Sequence, residues 1–92
     1  MCRNIRPLFN FTPPATDEEV RASSLQFVRK LSGFTKPSRA NEVAFNQAVE
    51  DVTAAARRLV DSLTTSAAPR TREGVARRAK ARAAERFAAR PS

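Results

Sequence analysis

The chain has 92 residues with 17 Lys and Arg against nine Asp and Glu, a formal charge of +8, and neither histidine, tyrosine nor tryptophan. One cysteine excludes an intramolecular disulfide, and with no histidine the composition argues against a closed zinc site within one chain. Without the side chain that titrates nearest neutrality a conventional hydrolase or transferase site is hard to assemble, so no enzyme and no cofactor are expected.

Residues 1–15 contain Pro7, Pro13 and Pro14, and their apolar members Ile5, Leu8, Phe9 and Phe11 lack helical spacing. They read as an extended arm. Large apolar side chains left in water would each forfeit roughly 1.5–3 kcal/mol, so the arm is expected to lie across a helical surface, with an exposed partner-binding plug as the alternative. Thr16, Asp17, Glu18 and Glu19 then form a capping box with an acidic first turn. Val20, Ser24, Phe27 and Leu31 follow at helical spacing, widened by Leu25 and Val28. Gly33 supplies a left-handed stop and Phe34 can fold back, which ends the first helix near Ser32.

Thr35, Lys36 and Pro37 form a turn, after which Ser38 is placed to cap a second helix with help from Asn41. Phe45, Val49, Val52, Ala56, Leu59 and Leu63 make a heptad seam, flanked by Ala44, Ala48, Ala55 and Val60, which permit close approach of another helix. Two helices joined by a short loop give an all-α fold, an antiparallel helical hairpin over residues 16–64. Because such a hairpin has little interior, the overhang of the longer second helix must meet the arm, the C-terminal segment or a second subunit, and a homodimer is favoured. Residues 65–70 read as a linker. Residues 71–92 form a basic tail of good helix formers apart from Gly74, with a thin apolar face of Val75, Ala79, Ala83 and Phe87, so it is expected to be only partly helical in isolation.

Charge is segregated along the chain. Arg70, Arg72, Arg77, Arg78, Lys80, Arg82, Arg86 and Arg90 face only Glu73 and Glu85, which leaves residues 1–69 nearly neutral. A concentrated cationic segment attracts polyanions, and DNA or RNA is the first partner to consider. Neutralising about six phosphates would give a slope of log affinity on log salt of roughly −4 to −5. The ordinary alternative is a solvated tail, or a helix packed through Val75 and Phe87. Arginine outnumbers lysine, but a chain rich in both Arg and Ala is also what a guanine- and cytosine-rich genome produces, so that preference carries no functional weight.

Two smaller features stand beside the tail. Lys36 and Arg39 flank the start of the second helix, where free amides favour an anion, and they would extend the polyanion surface if they shared a face with the tail. Cys2 would become N-terminal after removal of Met1, with Arg3 and Arg6 nearby to favour thiolate. Its amine and thiol could then capture an aldehyde, although an inert cysteine is the simpler reading.

Met-Cys-Arg-Asn-Ile at 1–5, Pro-Pro-Ala-Thr at 13–16 with Glu18 and Glu19, Val-Arg-Lys at 28–30 and Ser-Gly-Phe-Thr-Lys-Pro-Ser at 32–38 stand in one order. With Asn41, Phe45 and Arg57-Arg58-Leu59 they resemble a family of small bacterial proteins, domain of unknown function number 2277. The resemblance spans about residues 1–70 and implies a bacterial, cytoplasmic protein with no assigned activity. No apolar run has signal-peptide or membrane-spanning length, which agrees with a cytoplasmic location and no membrane. The leading expectation is non-specific nucleic-acid binding through the tail, and the alternative is a protein-interaction or homo-oligomeric assembly module.

Overall fold

The computed structural model describes the backbone over residues 5–89 and side-chain surroundings as far as Arg86. Cys2 and Arg90 therefore lie outside the described residues. Helix α1, Asp17–Ser32, begins at the box that the sequence predicts: Thr16 Oγ1 accepts from the Glu19 amide at 3.1 Å, and Glu19 Oε1 accepts from the Thr16 amide at 2.9 Å. At the other end Gly33 takes φ 76°, and its amide donates to the Arg29 carbonyl at 2.9 Å. Only a residue without Cβ enters that left-handed region cheaply, so the chain turns there. Mid-helix, the buried Ser24 donates its hydroxyl to the Val20 carbonyl at 2.9 Å and is thereby satisfied.

The second helix starts later than the capping expectation at Ser38. Arg39–Asn41 form one 3-10 turn, and α2 runs over Glu42–Ser62. Asn41 Nδ2 donates to Ser38 Oγ at 2.8 Å, so the two side chains bond to each other and neither caps a helix amide. The helix then closes on Leu63, whose amide donates to the Leu59 carbonyl at 3.2 Å.

The two helices pack antiparallel, as three sites along their length show. Arg57 reaches Asp17 near one end, Arg21 pairs with Glu50 midway, and Val28 packs with Phe45 and Val49 near the loop. Leu25, Ala48 and Val52 widen this core. Val20 and Ala15 are buried toward the arm end. The heptad seam is only half covered: Phe45 and Val49 are buried, but Leu59 and Leu63 remain 60% and 44% exposed. On α1 the stripe likewise passes from buried Val20 to Leu31, which is 72% exposed. A helix of 16 residues against one of 21 leaves an overhang.

Ala68 and Arg70, at the end of the segment that follows α2, are held by the arm. The arm runs beside them: the Arg70 amide donates to the Asn10 carbonyl at 2.8 Å and the Thr12 amide to the Arg70 carbonyl at 2.9 Å, a parallel bridge between Phe11 and Arg70. Asn10 Nδ2 also donates to the Ala68 carbonyl at 3.2 Å. Leu8, Phe9 and Phe11 are half-buried in this arrangement. Helix α3, Arg72–Ala89, follows as one continuous helix and, among the described residues, packs on neither α1 nor α2. Thr71 Oγ1 accepts from the Gly74 amide at 3.0 Å, and a Cβ at Gly74 would lie 2.8 Å from that oxygen. The glycine that weakens the helix on propensity thus makes room for its cap. Among the described residues no helix is long and apolar enough to cross a membrane.

Candidate nucleic-acid interface

The eight cations of the C-terminal segment divide into two groups with different surroundings. Arg70 and Arg72 are turned inward. Arg70 Nη2 donates to the Phe9 carbonyl at 2.7 Å, and its guanidinium lies 4.7 Å from the centre of the Phe11 ring. Arg72 lies 5.3 Å from the same ring and donates to the Pro13 and Pro14 carbonyls at 2.6 and 3.3 Å. It also forks onto Glu19, Nε to Oε2 at 3.0 Å and Nη2 to Oε1 at 2.8 Å. A planar guanidinium offers five donors in fixed directions, which suits one side chain to carbonyls and a carboxylate together. This is an arginine clasp that fastens the arm, the start of α1 and the base of α3.

The clasp moves the Glu19 carboxyl. Its hydrogen bonds to Arg72, with those from Thr16, lower its pKa from 4.5 to about 2. Arg72 is shifted up for the matching reason, the hydrogen bond to Glu19. A smaller tie stands on α2, where Arg57 donates to the Ala15 carbonyl at 2.9 Å and pairs with Asp61 at 2.7 Å. That hydrogen-bonded pairing raises the Arg57 pKa and lowers that of Asp61.

Arg77, Arg78, Lys80, Arg82 and Arg86 form the second group. All are exposed, and among the described residues no ion pair joins them to Glu73 or Glu85. At 3.6 residues per turn they project around most of the helix and not along one face. Lys36 and Arg39 are also exposed, at the hairpin tip, where Arg29 Nε donates to the Thr35 carbonyl at 2.9 Å and braces the turn. The base of the tail docks at the opposite end of α1, about 24 Å away at 1.5 Å per residue. The tip therefore does not adjoin the clasp.

Reading by sequence placed all eight C-terminal cations in one arm and missed Glu19, Phe11 and the proline carbonyls as partners for two of them. The partners lie about sixty positions away, and no local pattern links them. Among the described residues no cluster of His, Cys, Asp or Glu could hold a metal ion.

Fold and site together define a small all-α protein, a helical hairpin whose N-terminal arm is clasped to the base of a third, cationic helix. The chain belongs to the family described as "Uncharacterized conserved protein (DUF2277)", which it matches over residues 1–78. That span includes Arg70 and Arg72 and stops before Lys80, Arg82 and Arg86. No curated protein and no solved structure matches the chain.

Proposed function

We propose that this chain is a non-catalytic bacterial cytoplasmic protein that binds DNA or RNA without sequence preference, through Arg77, Arg78, Lys80, Arg82 and Arg86 of α3 and through Arg90. The observation that carries this reading is that the described cations of the group are exposed on a helix that, among the described residues, packs against neither other helix, while Arg70 and Arg72 are spent on holding its base. Cations distributed around a helix meet phosphates at many rotations, which suits backbone attraction and not base reading. Lys36 and Arg39, at the far end of α1, make a secondary contact at most.

The test spares the clasp. Truncation before Arg70 would remove the anchoring arginines together with the cations, so the informative variant replaces Arg77, Arg78, Lys80, Arg82 and Arg86 by Gln. Titrating a fluorescent duplex and a single strand at several salt concentrations should give the wild-type chain a slope of roughly −4 to −5 on duplex, or a loss of about 500-fold between 50 and 200 mM salt. The variant should lose most of both affinity and slope. Equal binding by the two proteins would sink the reading. Assembly through apolar faces is a second reading, favoured by the exposure of Phe27, Leu31 and Leu59 at 43%, 72% and 60%.

A further inference from the structure

The hairpin has a small core, and the chain as a whole is extended. A compact monomer of 10.1 kDa exposes about 5,300 Å², whereas this chain exposes 7600 Å². Its radius of gyration is 16.9 Å, where a compact chain of this length would have about 12 Å. The projecting α3 contributes to both figures, but the hairpin contributes too. Its buried apolar residues are Ala15, Val20, Val28, Phe45 and Val49 alone among the described residues. Beside them lies an apolar groove of about 350 Å³ between α1 and α2, lined by Phe27, Leu31, Phe34, Ala44, Ala48 and Val52.

One edge of α2 carries Ala44, Ala48, Val52, Ala55 and Leu59, spaced four, four, three and four, so these residues fall on one line along the helix. The edge is uneven. Small side chains and the groove occupy its N-terminal half, and exposed Leu59, with Leu63 beyond it, occupies the other. We propose that this edge is a two-fold interface with a second copy of the chain, α2 against α2 and antiparallel, with the axis passing between Thr53 and Ala54.

That placement sets Leu59 of each copy against Ala48 of the other, Ala55 against Val52, and Leu63 toward Ala44. Each leucine then enters the other copy's groove, so one contact satisfies both surfaces, as a closed two-fold interface requires. Charge agrees with the register. Asp51 and Arg58 each precede an edge residue, Val52 and Leu59, and lie on the same flank of α2. Antiparallel pairing brings Asp51 of one copy toward Arg58 of the other, an opposite-charge match at the rim. The proposal develops the assembly reading and does not depend on polyanion binding.

Light scattering of the full chain, free of nucleic acid and at high salt, reads the state directly. The expected mass is twice 10.1 kDa, and Leu59→Asp is expected to halve it. A chain that stays at the single mass at all workable concentrations overturns the proposal, and so does a Leu59→Asp protein that remains dimeric. Register is read independently in a Cys2→Ser background carrying Ala48→Cys and Leu59→Cys. Those positions are about 16 Å apart within one helix at 1.5 Å per residue, too far for an internal disulfide. Mild oxidation should yield a covalent dimer, whereas Val43→Cys in the same background should not. Monomer from the first, or equal dimer from both, overturns the register even if Leu59→Asp fails to fold. Loss of nucleic-acid binding would leave each of these results unchanged.

Discussion

Arg72 and Glu19 meet through two parallel hydrogen bonds of 2.8 and 3.0 Å, although 53 positions separate them in the chain. The pair is half-exposed, yet the carboxylate also closes the capping box of α1. One side chain thus serves two structures, the start of a helix and the fastening of a distant segment. Its protonation should therefore be felt in both.

Stability should consequently depend on acid in a defined direction. Folding lowers the Glu19 pKa from 4.5 to about 2, so the folded protein binds this proton less readily than the unfolded chain. The contribution is then present in full above pH 4.5 and is lost as pH falls toward 2. Glu19→Gln keeps a capping-box side chain while removing the charge. Its melting temperature should lie below wild type at pH 7, with the gap closing as pH approaches 2; a gap independent of pH would contradict the role of the ion pair.

Arg72→Lys should behave almost as badly as Arg72→Ala. A lysine keeps the charge but has no planar fork to serve Glu19, Pro13 and Pro14 together. Both variants should expose the amides of Thr12 and Arg70 to hydrogen exchange while those of the α1 and α2 core stay protected. A lysine variant indistinguishable from wild type would reduce the clasp to simple charge pairing.

Loss of the N-cap at Thr16→Ala should cost about 1 kcal/mol in urea denaturation, within the usual range of 0.5–2. Thr16→Ser, which retains the accepting oxygen, should restore most of it.

The core is so small that its members differ sharply in weight. Phe45→Ala, at a site 7% exposed, should cost about 3–5 kcal/mol, enough to unfold a domain of this size. Val43→Ala, two residues earlier and 82% exposed, should change stability by no more than about 0.5 kcal/mol as followed by circular dichroism.

On the polyanion reading, single neutralisations on α3 should act interchangeably. Arg82→Gln or Arg78→Gln should each reduce the salt slope by about one and weaken all sequences alike. A preference among sequences that changes with one of them would point to base contacts instead.

What could be read from the sequence follows how locally each feature is encoded. The box at Thr16 and Glu19 and the stop at Gly33 rest on contacts within four residues, and both stand where the pattern places them. Ser38 is an instructive departure: it has the chemistry of a cap, but Asn41 takes its hydroxyl, and α2 starts at Glu42. The seam from Phe45 to Leu63 was visible as a period, yet the period does not say which half α1 covers. The anchoring of Phe11 was expected from its apolar cost in water. Its actual partners, Arg70 and Arg72, were invisible because charge in a tail carries no sign of a ring and three carbonyls about sixty residues upstream.

The bridge between Phe11 and Arg70 also sets an order of events during synthesis. Everything α1 and α2 need for one another has left the ribosome once Leu63 emerges, and their contacts close short loops that form quickly. The arm must wait until Arg70 and Arg72 are made, so residues translated before the hairpin settle after it. Until then the cover that Arg70 and Arg72 give Phe11 is missing, and an apolar strand made ahead of the hairpin waits for a segment made behind it.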